Sequence, residues 1–138
     1  MDKKDLLTAL WDAVARQDAG AMEGFFAPEA EINWHCTNER FTLAEYLRAN
    51  CEYPGDWAGA VERVEDLGDR AVCVARVWPA DGSASFHCVA FYQFRAGKII
   101  RADEYWGDDG PAPQWRLDKH IGTTILSKGR TYHAGISL

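Results

Sequence analysis

The chain has 138 residues, of which 47% are hydrophobic and 12% aromatic, and its formal net charge at pH 7 is -6. That length and apolar content allow one hydrophobic core but not two domains, and the interleaving of basic with acidic residues excludes the basic patch of a nucleic-acid-binding protein. The chain has neither the apolar core of a secretory signal nor an apolar run of about 18 residues that could cross a bilayer, so we expect a soluble, cytoplasmic protein without a membrane partner.

The first half of the chain predicts three helices, each preceded by a residue that can cap it. Asp2, Asp18 and Thr42 carry side-chain oxygens that can accept a hydrogen bond from a free N–H of the first helical turn. Thr42 and Glu45 also fit a capping box. Residues 31–36 alternate apolar and polar side chains, which is typical of a strand. The predicted helices run over about residues 2–16, 19–26 and 42–51, and Pro28 closes the second because a proline disfavours helical geometry in the residue before it.

The second half predicts four strands, over residues 57–67, 70–78, 84–94 and 98–106. The turns between them are short, and short turns join antiparallel neighbours, so the strands form a meander. The order of elements predicts an α+β fold in which three N-terminal helices cover one face of a curved antiparallel sheet and enclose a pocket. This domain takes residues 1–108, and residues 109–138 form a C-terminal extension that wraps the surface or a partner subunit.

The predicted turns decide which side chains lie opposite each other in the meander. A three-residue loop with Gly97 in the left-handed conformation is less costly than a two-residue loop that needs Ala96 at positive φ, and it pairs Phe94 with Lys98. A loop of the same length pairs the next two strands at the other end. Three rows then cross one face of the sheet: Trp78, Phe86 and Trp106; Arg76, Cys88 and Glu104; Val74, Ala90 and Ala102.

Glu104 and Arg76 are single charges on otherwise apolar stripes of that face, and they are the candidate catalytic residues. Neighbouring strands lie about 4.8 Å apart, so a long arginine could reach past the small Cys88 to the carboxylate. A buried ion pair that only joins the strands is the alternative, although desolvation makes such pairs weakly stabilising. The candidate ligand-binding residues are Trp34, Trp78, Phe86, Cys88, Tyr92 and Trp106.

Such a pocket suits two functions, and a third hypothesis concerns assembly. In an enzyme, burial would raise the pKa of Glu104 and Arg76 would lower it again, and the pair would perform acid/base chemistry on a small apolar or carbonyl-bearing molecule. In a non-catalytic binding domain, Arg76 would anchor an apolar anion between tryptophan walls. In a dimerisation scaffold, the segment QWRLDKHIG would dock on a partner. No residue pattern requires a cofactor.

The cysteines and histidines do not indicate a metal site. Cys36, Cys51, Cys73 and Cys88 form no C-x-x-C pair and are interpreted as reduced thiols. His35 and Cys36 are adjacent in a predicted strand, where neighbours face opposite ways and cannot easily hold one ion. If this strand turned its other face inward, His35 would join the pocket as a base instead.

The opposite face of the meander predicts an interface between two copies of the chain. Its centre is too apolar to remain in water, so a homodimer through this outer face is the simplest explanation. Coverage by the C-terminal extension is the alternative. The side chains expected there are Ala71, Cys73, Ala75, Val77, His87, Val89, Phe91 and Gln93.

The segment FFAPEAEINW, the capped third helix and the closing segment FYQFRAGKIIRADEYW resemble the nuclear transport factor 2-like superfamily and its SnoaL-like branch, over residues 4–108. The resemblance implies a cone-shaped α+β fold with a deep pocket that is commonly homodimeric. It implies a branch that includes isomerases, cyclases, dehydratases and epoxide hydrolases, beside many members without known chemistry.

Ketosteroid isomerases of this superfamily give a comparison for the pocket. The resemblance places their general base on Trp34 and their two oxyanion groups on Leu10 and Ala90, so this chain has none of those catalytic groups. It also implies that Arg76 and Glu104 face the cavity, in agreement with the predicted rows. The sequence therefore predicts a small-molecule pocket protein, with enzyme and binding domain both open.

Overall fold

The computed structural model describes residues 1–125, which form four α-helices, one 3-10 turn and six strands. Their bounds are α1 Lys3–Arg16, α2 Ala19–Glu23, β1 Phe26–Trp34, the 3-10 turn His35–Thr37, β2 Glu39–Thr42, α3 Leu43–Cys51, β3 Trp57–Asp66, β4 Arg70–Pro79, β5 Phe86–Arg95, β6 Lys98–Asp108 and α4 Gln114–Asp118. The predicted α+β class is confirmed. No helix in this part of the chain is long and apolar enough to span a membrane.

The predicted helix starts are confirmed by the hydrogen bonds that cap them. Asp2 and Asp18 each accept a backbone N–H from three residues further along, at 2.8 Å and 3.1 Å. Thr42 and Glu45 form the full capping box at the start of α3, at 2.9 Å and 3.2 Å. These bonds satisfy N–H groups that would otherwise have no partner in the first turn.

The first strand is longer than predicted, because β1 begins at Phe26 and α2 ends at Glu23. Pro28 lies inside β1 instead of ending a helix. The pairing of β1 with β6 is irregular between Phe26 and Glu31, and a proline, which has no N–H to donate to a ladder, is tolerated at such a place. The short strand β2 and the helix α4 were not predicted.

The six strands form one curved sheet in the order β2-β1-β6-β5-β4-β3. Strands β3 to β6 are the predicted antiparallel meander. The expectation of a wholly antiparallel sheet is corrected at one place, because β1 runs parallel to β6. This pairing sets Trp34 beside Glu104, so the first and last long strands meet at the residue that the sequence marked as a candidate acid.

The loop between β5 and β6 has two residues, not the predicted three. Arg95 pairs with Lys98, while Ala96 and Gly97 both take positive φ values of 50° and 78°. This is the loop conformation that the sequence argument rejected for its cost at alanine. An irregularity in β5 after Gln93 accompanies it. As a result Glu104 lies opposite Ala90 rather than Cys88, which is a shift of two residues and leaves its side chain on the predicted face.

The pairing of β4 with β5 differs from the prediction by one residue, and this difference moves Arg76 to the other face. Ala75 lies opposite Cys88, whereas Arg76 lies opposite His87. A shift of one residue turns every side chain of a strand to the opposite face of the sheet. The cause is the connection over residues 80–85, which is longer than the three-residue turn that the sequence analysis used.

The core consequently contains residues that were expected outside. Ala71, Cys73, Ala75 and Val77 are buried beneath the helices instead of forming the outer face. The outer face carries Val72, Val74, Arg76 and Trp78 on β4, next to His87, Val89, Phe91 and Gln93 on β5. The predicted residues of β5 are therefore correct for this face, and those of β4 are wrong.

The described part of the C-terminal extension follows β6, which ends at Asp108. It includes the one-turn helix α4, whose Trp115 and Leu117 are exposed. The predicted role of this extension in wrapping or docking stays a prediction, and residues 126–138 of it lie outside the described residues.

Candidate functional site

Glu104 is a fully buried acid on the inner face of β6, with 1% of its surface exposed. The alternation of β6 turns Ala102 and Glu104 inward together. The cross-strand neighbours on this face are Trp34 of β1 and Ala90 of β5, and the small alanine leaves room for the carboxyl. The predicted inward orientation of Glu104 is therefore confirmed.

Neutral and weakly polar groups surround the Glu104 carboxyl. The Trp106 indole Nε1–H donates a hydrogen bond to Oε1 at 3.1 Å, and the Cys88 Sγ lies 3.9 Å from the same oxygen. Within residues 1–125 no cationic side chain forms an ion pair with it. Burial raises the pKa of Glu104 to about 7, while Trp106, Trp34 and Cys88 act in the opposite direction.

The other ionisable groups of this buried cluster stay protonated. Burial, and then the charge of Glu104, raise the pKa of Tyr92 and of Tyr46 well above the ordinary tyrosine value. The same two causes raise the pKa of the Cys73 thiol to about 12 and also raise that of Cys88. The Trp11 indole donates to the Tyr92 hydroxyl at 3.1 Å. Glu104 is thus the member of the cluster whose protonation changes near neutral pH.

A cavity of about 300 Å³ lies beside this cluster, between the sheet and the ends of α1 and α3. Its wall is mainly aromatic. Trp106 connects the cavity with the acid, since its ring lines the cavity while its N–H holds Glu104. The lining residues are Val14, Ala15, Gln17, Trp34, Cys36, Thr37, Ala49, Asn50, Tyr53, Trp57, Val77, Phe86, Trp106 and Asp108.

The predicted ligand-binding residues divide into three groups. Trp34, Phe86 and Trp106 line the cavity. Cys88 and Tyr92 are buried in the cluster around Glu104, away from the cavity wall. The sixth, Trp78, lies on the outer face of the sheet.

The predicted pair of Arg76 with Glu104 does not form. Arg76 lies on the outer face, where its Nε is 3.5 Å from a Glu62 carboxylate oxygen and its guanidinium carbon is 4.4 Å from the centre of the Trp78 ring. The physical reason is the one-residue difference in the pairing of β4 with β5. The pocket therefore has a buried acid without the basic partner that the sequence analysis gave it.

Three lining residues, Tyr53, Trp57 and Asp108, were not predicted from the sequence. Tyr53 and Trp57 flank the Pro54-Gly55 break after α3, and their rings meet at 5.5 Å. Nothing in the local pattern shows that the residues beside this break line the cavity. Asp108 could have been found, because it follows Glu104 and Trp106 at the two-residue spacing of one strand face.

His35 does not join the cavity. It lies in the 3-10 turn, where its Nε2 is 2.7 Å from an Asp103 carboxylate oxygen and its ring stacks on Tyr105 at 4.4 Å. Burial favours a higher pKa for Asp103, but hydrogen bonds from Arg101, His35 and Asn33 lower it to about 2. Within residues 1–125 no three His, Cys, Asp or Glu side chains are grouped to hold a metal ion.

Solved structures with this fold define the class of protein. A candidate ketosteroid isomerase from Kribbella flavida aligns with a TM-score of 0.73 at 24% identity, over 93% of each chain. An NTF-2 like protein of unknown function from Burkholderia xenovorans aligns with a TM-score of 0.73 at 22% identity, over 89% of this chain and 94% of that one. A candidate SnoaL-like polyketide cyclase from Jannaschia aligns with a TM-score of 0.63 at 18% identity, over 75% and 83%. The fold is thus that of the nuclear transport factor 2-like proteins.

The sequence narrows this class to one family. The model of the SnoaL-like domain matches residues 7–102, which is most of the folded part. The chain therefore belongs to the SnoaL-like domain family of the nuclear transport factor 2-like superfamily, as its sequence pattern indicated. No curated protein sequence matches it significantly.

Proposed function

We propose that this protein binds a small, largely apolar molecule in the aromatic cavity and that Glu104 moves a proton to and from it, without a cofactor. The observation that supports this most is a fully buried carboxyl, free of ion-pair partners among the described residues, directly behind the cavity wall. A general base works best when its pKa lies near the working pH, because a large fraction of the group is then deprotonated and that form is still a strong enough base. Glu104, with its pKa at about 7, meets that condition.

The position of Glu104 in the fold supports the same proposal. The resemblance to ketosteroid isomerases places two of their catalytic groups on Trp34 and Ala90, and these residues are the two cross-strand neighbours of Glu104. This chain thus has an acid one strand away from the places where those enzymes carry theirs. Because function belongs to the site and not to the fold, the chemistry we propose is general: proton removal next to a carbonyl group.

Three para-substituted aryl ketones test this proposal. They are para-(trimethylammonio)acetophenone, para-tert-butylacetophenone and para-carboxyacetophenone, which share one acidic methyl group and differ in charge. In deuterium oxide, Glu104 as carboxylate would take a proton from that methyl carbon, leaving an enolate that is then deuterated. We expect exchange, followed by proton NMR, to exceed the buffer rate for at least one ketone. Rates equal to buffer for all three would contradict the catalytic proposal.

A non-catalytic binding domain is the second candidate function. It is favoured by one observation: Glu104 does not line the cavity, because Trp34 and Trp106 stand between the carboxyl and the open space. In an enzyme these rings would have to turn aside when the substrate enters. Binding of a ketone that raises the melting temperature and is recovered without deuterium would support this candidate.

We also propose that two copies associate through the outer face of the sheet. Its centre is apolar, with Phe91 47% exposed and Tyr105 43% exposed, beside Val72, Val74 and Val89. An isologous interface needs a surface that complements itself, and an apolar patch edged by charges of both signs satisfies this. Among those edge charges are the ion pairs of Arg76 with Glu62 and of Arg101 with Asp103.

Substitution of Phe91 by Lys should convert a dimer to a monomer, because the patch would then bury an unpaired charge. The measurement is light scattering after size-exclusion chromatography. Leu67→Lys is the matched control, since Leu67 is 61% exposed but lies at the turn after β3, away from this face. A wild-type protein that is already monomeric at high concentration would contradict the proposed dimer.

The free cysteines support a cytoplasmic location. Cys73 and Cys88 are fully buried and Cys51 is partly buried. Reduced thiols of this kind are typical of proteins in a reducing compartment. We therefore propose the cytoplasm, to be checked by fractionation of the source cells.

A further inference from the structure

We infer that the cavity selects a small organic cation, such as a substituted ammonium, over neutral and anionic molecules of the same shape. This inference rests on the proposed function, because it takes the cavity to be the ligand site. Its first basis is the sign of the charges. Asp108 lines the cavity, Glu104 lies behind its wall, and no lysine, arginine or histidine is among the lining residues. Arg76, which the sequence suggested as the anchor for an anionic ligand, lies on the outer face of the sheet. The expected charge preference of the cavity is therefore reversed.

The aromatic rings provide the second basis. Among the lining rings, Trp34 and Trp106 form one group, with ring centres 6.3 Å apart. Trp57 forms a second group, with its ring centre 5.9 Å from that of Phe86 and 5.5 Å from that of Tyr53. The faces of such rings carry partial negative charge and attract a cation within about 6 Å, and several rings around one ammonium group replace part of its lost hydration. The cavity thus offers two groups of aromatic rings to the same space.

The hydrogen-bond donors of the lining are the third basis, because most of them are already engaged inside the protein. The Gln17 side-chain amide donates to the carbonyls of Asn50 and Tyr53, at 2.9 Å and 2.6 Å. The Asn50 amide donates to the carbonyl of Val14 at 3.0 Å. The Trp57 indole donates to a backbone carbonyl at 2.9 Å.

Two further donors of the lining are engaged in the same way, whereas the buried indole N–H of Trp34 has no hydrogen-bond partner among residues 1–125. The Trp106 indole donates to Glu104. The Thr37 hydroxyl donates to a Glu39 carboxylate oxygen at 2.7 Å. An anion in the cavity would therefore lose its hydration, find few donors and lie near two acids, which is costly. A cation would lie near the same acids with an attractive interaction, and the net charge of -6 would assist its approach.

The three aryl ketones defined above test the inference by isothermal titration calorimetry, because they differ in charge and the ammonium and tert-butyl ketones have the same shape. We expect the ammonium ketone to bind about tenfold more tightly than the tert-butyl ketone, since a cation enclosed by rings gains about 1 to 2 kcal/mol. The carboxylate ketone should bind most weakly. Equal or tighter binding of the neutral or the anionic ketone, or absence of binding by the ammonium ketone at millimolar concentration, would overturn the inference.

Two substitutions locate the effect. Trp57→Leu should remove most of the preference for the ammonium ketone, and Trp57→Phe should keep part of it, because phenylalanine still presents a ring face. Asp108→Asn, at an exposed position that tolerates change, should weaken the ammonium ketone a few-fold and leave the neutral ketone unchanged. A preference that survives both Trp57→Leu and Asp108→Asn would also overturn the inference.

The outcomes separate this inference from the proposed catalytic role. Catalysis is judged from deuterium exchange and its dependence on Glu104, with whichever ketone binds. If the neutral ketone binds best and is exchanged by Glu104, the proposed function stands and the charge preference fails. If the ammonium ketone binds best and is not exchanged, the preference stands and the catalytic role fails.

Discussion

Replacement of Glu104 by Gln is expected to lower the rate of deuterium exchange at least about a hundredfold, which is the low end of what a positioned general base contributes. Glutamine fills the same space, and its amide oxygen can still accept the hydrogen bond from Trp106. It cannot accept a proton from carbon. The measurement is the exchange rate of the best-bound ketone, divided by its rate in buffer, for wild type and variant at equal occupancy.

The pH profile gives an independent reading of the same residue. The wild-type rate should rise as the pH increases through about 7, because the carboxylate form is the base and burial has raised the pKa of Glu104 to that value. Glu104→Gln should show no such rise. Glu65→Gln is the matched control, since Glu65 is an exposed acid on β3 that pairs with Arg63, and its rate should equal that of wild type. Full exchange by a folded Glu104→Gln protein would contradict Glu104 as the base.

The second large effect concerns stability. The pKa of Glu104 is 4.5 in the ordinary case and about 7 in the folded protein, so between these values the folded state holds a proton that the unfolded chain releases. The free energy of unfolding therefore falls as the pH rises through this window and becomes constant above it. The loss is about 3 kcal/mol for this one side chain. Urea denaturation at pH 5 and pH 8 measures it.

Glu104→Gln serves as the reference for this stability measurement, because its side chain is uncharged at every pH. We expect the variant to be more stable than wild type at pH 8 and similar to it at pH 5. His87 acts in the same direction in both proteins. Burial lowers its pKa, but Asp109 and Glu62 outweigh this effect and raise the pKa overall. The stability that His87 contributes is therefore lost as the pH rises through its pKa in the folded protein. The difference between the two proteins isolates Glu104. An equal dependence on pH in both would contradict the burial of a titrating carboxyl.

The helices could be predicted from the sequence because their signals are local. A capping side chain acts on a backbone N–H three residues away, and Thr42 with Glu45 shows this at the start of α3. The strands of the meander could be predicted for the same reason, since alternation is a property of each strand alone. The prediction that Pro28 closes a helix was wrong, because the effect of a proline depends on the pairing around it and the irregular pairing of β1 with β6 tolerates Pro28.

The site could be predicted only in part, because pairing depends on the length of connections. The β5–β6 loop was predicted one residue too long, and the irregularity after Gln93 shifts the pairing by one more residue. The pairing of β5 with β6 therefore differs from the prediction by two residues, which leaves Glu104 on the predicted face of the sheet. The β4–β5 connection produced an odd shift, so Arg76 changed its face. Tyr53 and Trp57 reach the cavity through the packing of α1 and α3 on the sheet, which no local pattern encodes.

The parallel pairing of β1 with β6 also bears on how the molecule is made. A ribosome delivers Trp34 well before Glu104, and the carboxyl is enclosed only when these two distant segments come together. Contacts of such long sequence separation form late and slowly. Until then the nascent chain exposes its acid to water, where it is ionised like any other glutamate. The raised pKa of this residue, on which the proposed proton transfer depends, therefore arises only once the two segments are paired.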